Sequence, residues 1–195
     1  MKSTKNSRTN QLVLSAMMTA IVVVFQLLAT YGKFFGPFES AVGLIPIAIG
    51  ACLCGPAVGA WLGFVFSIIL VTGGGALFFA FSIPGTIVTV LLKGTAAGFV
   101  SGLVYKLLNK KLGFFAAIFA SLACPLVNTG IFLLGSAVFF MPYAEAIGEL
   151  CGITEAGFGV FIALAFANFI IEILMCTVLS PVFVRILRIR KKTRN

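Results

Sequence analysis

Residues 41–72 read "AVGLIPIAIGACLCGPAVGAWLGFVFSIILVT", without a single charged side chain. These 32 residues exceed the roughly 17–25 that cross a bilayer once, yet fall short of two full crossings. "CGPAVG" interrupts the run at Gly55-Pro56. Proline opens a helix well and ends the one before it. The stretch therefore predicts a tight helical hairpin, with short spans at 41–54 and 56–72. Outward from it, apolar runs at 12–30, 85–106, 114–140 and 159–184 each suffice for one further span.

Charge decides between five and six spans. With six, both tails and the 106–113 turn share one side. That side then collects Lys2, Lys5, Arg8, Lys106, Lys110, Lys111 and the basic run from Arg185 to Arg194, while the other side holds Lys33 alone. Five spans would place the two basic tails on opposite faces, against the tendency of basic residues to stay cytoplasmic. The expected architecture is all-α: a polytopic bundle of six transmembrane helices with both termini cytoplasmic. A cytoplasmic N-terminal tail (1–11) precedes the six-helix domain (12–187), and a basic tail (188–195) follows it.

Composition agrees. Of the 195 residues 61% are hydrophobic and 10% charged, and the mean hydropathy is +1.16. Soluble domains carry about a quarter charged residues. The net charge of +9 lies in segments between and beyond the apolar runs, so it marks membrane orientation and no nucleic-acid partner. "MKSTKNSRTN" before an apolar run resembles a signal peptide, but 12–30 is longer than the ~7–15 residues of a typical h-region and reads as a retained first span.

Function classes fall away by residue type. The chain has no histidine and no aspartate. This removes the commonest general base and metal ligand together, and with them the serine–histidine and zinc-protease arrangements. Five cysteines occur, and Cys52-x-Cys54 has the wrong spacing for a zinc knuckle. No Gly-Lys-Ser/Thr phosphate loop follows "GGG" at 73–75, so the chain does not hydrolyse ATP itself. An enzyme, a resident cofactor and a metal site are not expected. The acidic residues Glu145, Glu149 and Glu155 read as a solvated outer face.

A few polar groups fall inside the spans. In "GTIVTVLLKGTAAGFVSGLVYKLLNKK" (85–111), Lys93 interrupts the apolar run, and Thr86, Thr89 and Lys93 share one helical stripe. A mid-span lysine costs about 2.5–3.5 kcal/mol on insertion scales, so it faces the bundle interior and has a partner. Lys93 lies eight residues inside its span, ~12 Å below the outer edge. Counting in the same way puts Asn168 ~13 Å deep, Asn128 ~18 Å and Glu172 ~20 Å. Gln26 is a further deep polar residue. Two readings of the cluster stand. Lys93 and Glu172 neutralise each other as a packing pair, or Lys93 meets a ligand's carboxylate or phosphate while Asn128, Asn168 and Glu172 bond its polar edges. The two coexist if a ligand replaces the pair.

Small residues recur at four-residue spacing: Gly55/Gly59/Gly63, Gly94/Gly98/Gly102 and Ala16/Ala20. Such rows let helices approach closely. The glycine rows are assigned to packing within the chain. Ser15, Ala16, Thr19 and Ala20 make a smooth stripe on the first helix, suited to docking another membrane subunit. The outer connections (31–39, 73–84 and 141–158) are longer and richer in Gly, Pro and aromatics than the inner turns, as a binding mouth with lids would be. No internal repeat is visible, so an inverted-repeat transporter is not supported.

The stretches "LVLSAMMTAIVVVFQLL", "GLIPIAIGACLCGPAVGAWLGFVFSIIL", "GTIVTVLLKGTAAGFVSGLVYKLL", "CPLVNTGIFLLG" and "NFIIEILMCTVLSPVFVRIL" resemble the substrate-binding (S) subunits of energy-coupling factor (ECF) transporters, over about 12–187. The resemblance implies six helices with cytoplasmic ends in a bacterial cell membrane. It implies an alanine row that docks a membrane coupling (T) subunit, matched by Ala16 and Ala20, and two cytoplasmic ATPase subunits. It also implies an outer-facing pocket for a vitamin-like nutrient, and toppling of the subunit to release the cargo inside. Lys93, Asn128, Asn168, Glu172 and Thr89 fall in that region. One cation and many phenylalanines suit a small ligand with an anionic end and an apolar body; pantothenate fits, and folate or riboflavin remain open. The alternatives are a stand-alone proton-coupled secondary transporter using Glu172 as proton carrier, and a structural membrane partner.

Overall fold

The computed structural model describes residues 2–32, 39–73 and 76–192, and these are helical with no strand among them. Six long helices carry the fold: α1 (Lys2–Gly32), α2 (Glu39–Cys54), α3 (Pro56–Gly73), α5 (Ile83–Leu112), α6 (Phe114–Gly135) and α8 (Gly159–Lys192). Two short helices, α4 (Ala76–Phe79) and α7 (Ala144–Cys151), occupy connections expected as loops. Five stretches are long and apolar enough to cross a bilayer, and Gly43–Cys54 is a shorter sixth. The chain is a polytopic membrane bundle, as composition dictates. The segments expected as tails continue α1 and α8 as helix, from Lys2 and to Lys192. Lys33 and the outer segment 33–38 lie outside the described residues.

The hairpin forms where the sequence breaks. α2 stops at Cys54, Gly55 turns with φ +94°, and Pro56 starts α3. Only glycine takes that left-handed φ without strain. At 16 residues α2 spans ~24 Å, less than the ~30 Å hydrocarbon core. The shortfall is tolerated because α2 is the middle of the bundle, packing against α1, α3, α5, α6 and α8. Leu44, Ile47, Ala48 and Ala51 are buried on it, as expected of a helix apolar all round.

The glycine rows close α3 on α5. A Cβ on Gly63 would overlap the Gly94 carbonyl oxygen, and one on Gly98 would overlap that of Gly59. Backbone therefore meets backbone, as the spacing predicted. Ser67 Oγ adds a hydrogen bond across the same seam to the Val90 carbonyl at 2.8 Å. Ser101 Oγ ties α5 to the Ala120 carbonyl of α6 at 2.8 Å. Beyond α6 the chain widens into a π-helical turn, Ser136–Phe140, before Met141-Pro142 ends the run. Phe140, Ala144, Ile147, Val160 and Phe161 form a second apolar cluster there, with Phe78 and Phe81 packed on it.

Candidate functional site

α5 builds the site from its first turns. Ser82 caps the helix, its hydroxyl accepting from the Gly85 N–H at 3.3 Å, and Pro84 stands at the helix start. Thr86, Thr89, Val90 and Lys93 then follow at i, i+3, i+4 and i+7, one face of the helix. That face lines a small, partly open cavity with Leu70 of α3, Phe78 of α4, Phe132 of α6 and Phe140 of the π-helical turn. The Thr86 hydroxyl donates to the Ser82 carbonyl at 2.7 Å. Thr89 Oγ1 is buried and has no hydrogen-bond partner among the described residues. The glycine at 135 leaves room for the Thr89 side chain, which a Cβ there would strike. Lys93 Nζ lies 5.6 Å from the centroid of the Phe132 ring. Phe78 sets its edge against both Phe132 (5.6 Å) and Phe140 (5.1 Å), so the three rings make one wall.

A second polar cluster sits on α6 and α8. Glu172 is fully buried, and its carboxylate accepts from Asn168 Nδ2 at 2.7 Å and Asn128 Nδ2 at 3.3 Å. A carboxylate only accepts, so both amides turn their NH₂ groups toward it. Asn128 Oδ1 is left without a hydrogen-bond partner among the described residues. Asn128 and Phe132 are one helical turn apart on α6, a rise of ~6 Å, which puts the carboxylate and the Lys93 ammonium on neighbouring levels. The two groups interact electrostatically.

The expected site residues thus fall into two sets. Thr89 and Lys93 line the cavity; Asn128, Asn168 and Glu172 are not in its lining and bind one another instead. Gln26 is buried and bonds within α1, Nε2 donating to Thr30 Oγ1 at 3.0 Å. The sequence reading had not singled out Phe78, Phe132 and Phe140. The phenylalanine density of 73–84 was noted only as a lid, and the i, i+4 step from Asn128 to Phe132 was the available signal. On α1, Ala16 and Ala20 are exposed, while the Ser15 and Thr19 hydroxyls turn back onto α1 carbonyls at 2.8–3.0 Å. The outward stripe is therefore methyl groups.

A family model described as "ECF transporter, substrate-specific component" matches residues 10–184. No curated protein and no solved structure matches. A match over most of the chain agrees with the apolar bundle. The chain belongs to the family of substrate-specific components of ECF transporters.

Proposed function

We propose that this chain captures a small vitamin-like nutrient from the outer face and holds it in the Lys93 cavity. A membrane coupling subunit and two cytoplasmic ATPase subunits then drive its passage inward. Family membership supports the transport role and an assembly with such subunits. The observation that carries the site is the pairing of a lysine ammonium with a buried, unpartnered threonine hydroxyl in one aromatic-walled cavity. Among the described residues the Thr89 hydroxyl lacks the hydrogen-bond partner that a buried polar group requires, and a ligand's acceptor atoms would supply it and meet the Lys93 ammonium as well. The distribution of basic residues supports cytoplasmic termini, and the membrane we propose is that of a bacterial cell. Exposed Ala16 and Ala20 support docking of the coupling subunit along α1.

The test is direct. The chain purified alone in detergent is denatured, and the released small molecules are identified by mass spectrometry. A near-stoichiometric nutrient is expected from the wild type and at least tenfold less from Lys93→Met. Equal recovery from both, with the variant folded, removes Lys93 from the site. Uptake by the chain alone in proton-energised vesicles would replace the capture role with secondary transport.

A further inference from the structure

We infer that the Lys93 cavity selects a small organic monoanion with an apolar body, and that Glu172, standing behind the cavity, sets the charge limit. The inference rests on the capture reading and narrows it to a ligand class.

Donors come first. Among the described residues, the only charged group in the lining is the Lys93 ammonium. The Thr86 proton is committed to the Ser82 carbonyl, so Thr86 offers lone pairs alone. Thr89 Oγ1 has no hydrogen-bond partner among the described residues and can donate to a ligand. One ammonium and one hydroxyl match the two oxygens of a single carboxylate. The rest of the wall is phenylalanine and aliphatic, which leaves a second polar group of the ligand without a partner.

Charge balance comes second. Lys93 and Glu172, of opposite formal charge, interact electrostatically. The carboxylate is held by Asn128 and Asn168, outside the cavity, and stays when a ligand enters. A monoanion meets Lys93 directly. A dianion brings another charge into a low-dielectric site that has no second cation among the described residues of its lining. A neutral ligand leaves the ammonium without a charged acceptor. The expected order is monoanion, then neutral, then multiply charged.

The experiment is calorimetric titration of the full chain in detergent with two matched pairs, pantothenate against pantothenol and nicotinate against nicotinamide. 4′-Phosphopantothenate, riboflavin and folate complete the panel. The expected result is a monoanion at least tenfold tighter than its neutral partner, with no binding of the phosphorylated compound. Lys93→Met erases the preference. Glu172→Gln strengthens anion binding and narrows the gap to the phosphorylated compound, a shift that a purely structural carboxylate would not produce. A neutral compound binding as tightly as its anion overturns the inference, as does an unchanged charge ranking in a folded Glu172→Gln variant. Riboflavin or folate binding in place of both monoanions overturns the inference but leaves capture standing. No binding across the whole panel removes both.

Discussion

Glu172 is a buried carboxylate that accepts hydrogen bonds from Asn168 on its own helix and from Asn128 across the α6–α8 interface. Removing the acceptor should cost more than removing its charge, because each buried donor that loses its partner costs about 1–3 kcal/mol. Glu172→Leu is expected to lose about 2–6 kcal/mol of stability by this route, summed over two amides, and Glu172→Gln clearly less, because it keeps an amide oxygen as acceptor. Thermal unfolding of both variants in the same detergent reads the difference. Equal melting temperatures would mean that the amides find other partners. The residue types of this cluster were legible in the sequence, since ionisable groups inside an apolar run are conspicuous. Their grouping was not. Sequence depth put Lys93 and Glu172 on neighbouring levels, but which of them faces a cavity depends on helix rotation, and packing sets that.

At the level of elements, the α3–α5 seam is the part most fully written in the sequence. Glycine rows spaced by four residues lie on one helix face, and two such rows leave the backbones free to touch. Gly98→Ala should separate the helices, because its Cβ meets the Gly59 carbonyl, and over-packing of this kind costs about 1–3 kcal/mol. Gly130→Ala is the matched control. A Cβ there meets nothing within 4 Å, and alanine favours the helix by about 0.5–1 kcal/mol. A fall in melting temperature for the first and none for the second is expected. A neutral Gly98→Ala would show that the seam can open at no cost. The break at Gly55-Pro56 was equally readable, since a helix ends there for local reasons. The helical turns inside 73–84 and 141–158 were not. Short helices of this length have little stability of their own, and tertiary packing of Phe78, Phe140 and Ile147 holds them.

For the whole molecule, the outward methyl stripe of α1 makes a separable prediction. Ala16→Leu with Ala20→Leu adds bulk to exposed positions, so folding and ligand capture are expected to survive. Close approach of a partner helix is not. Co-purification with the coupling and ATPase subunits should fall at least tenfold while the detergent-purified chain keeps its ligand. Retained assembly would move the docking surface elsewhere on the bundle. A joint loss of ligand and assembly would point to misfolding instead.

The sequence by itself determined that this chain is a membrane bundle, that about six long helices build it, where the hairpin turns and that its glycine rows pack within the chain. These follow from local chemistry: backbone polar groups in oil must bond within a helix, proline and glycine end helices, and small residues admit close contact. Only the tertiary structure decided that the shortest of the six long helices is central, that Asn128 and Asn168 hold Glu172, and that Lys93 lines one cavity with three phenylalanine rings drawn from separate elements. Those facts depend on how each helix is rotated against its neighbours. The many side chains packed at each interface set that rotation together, and no single stretch of sequence encodes it.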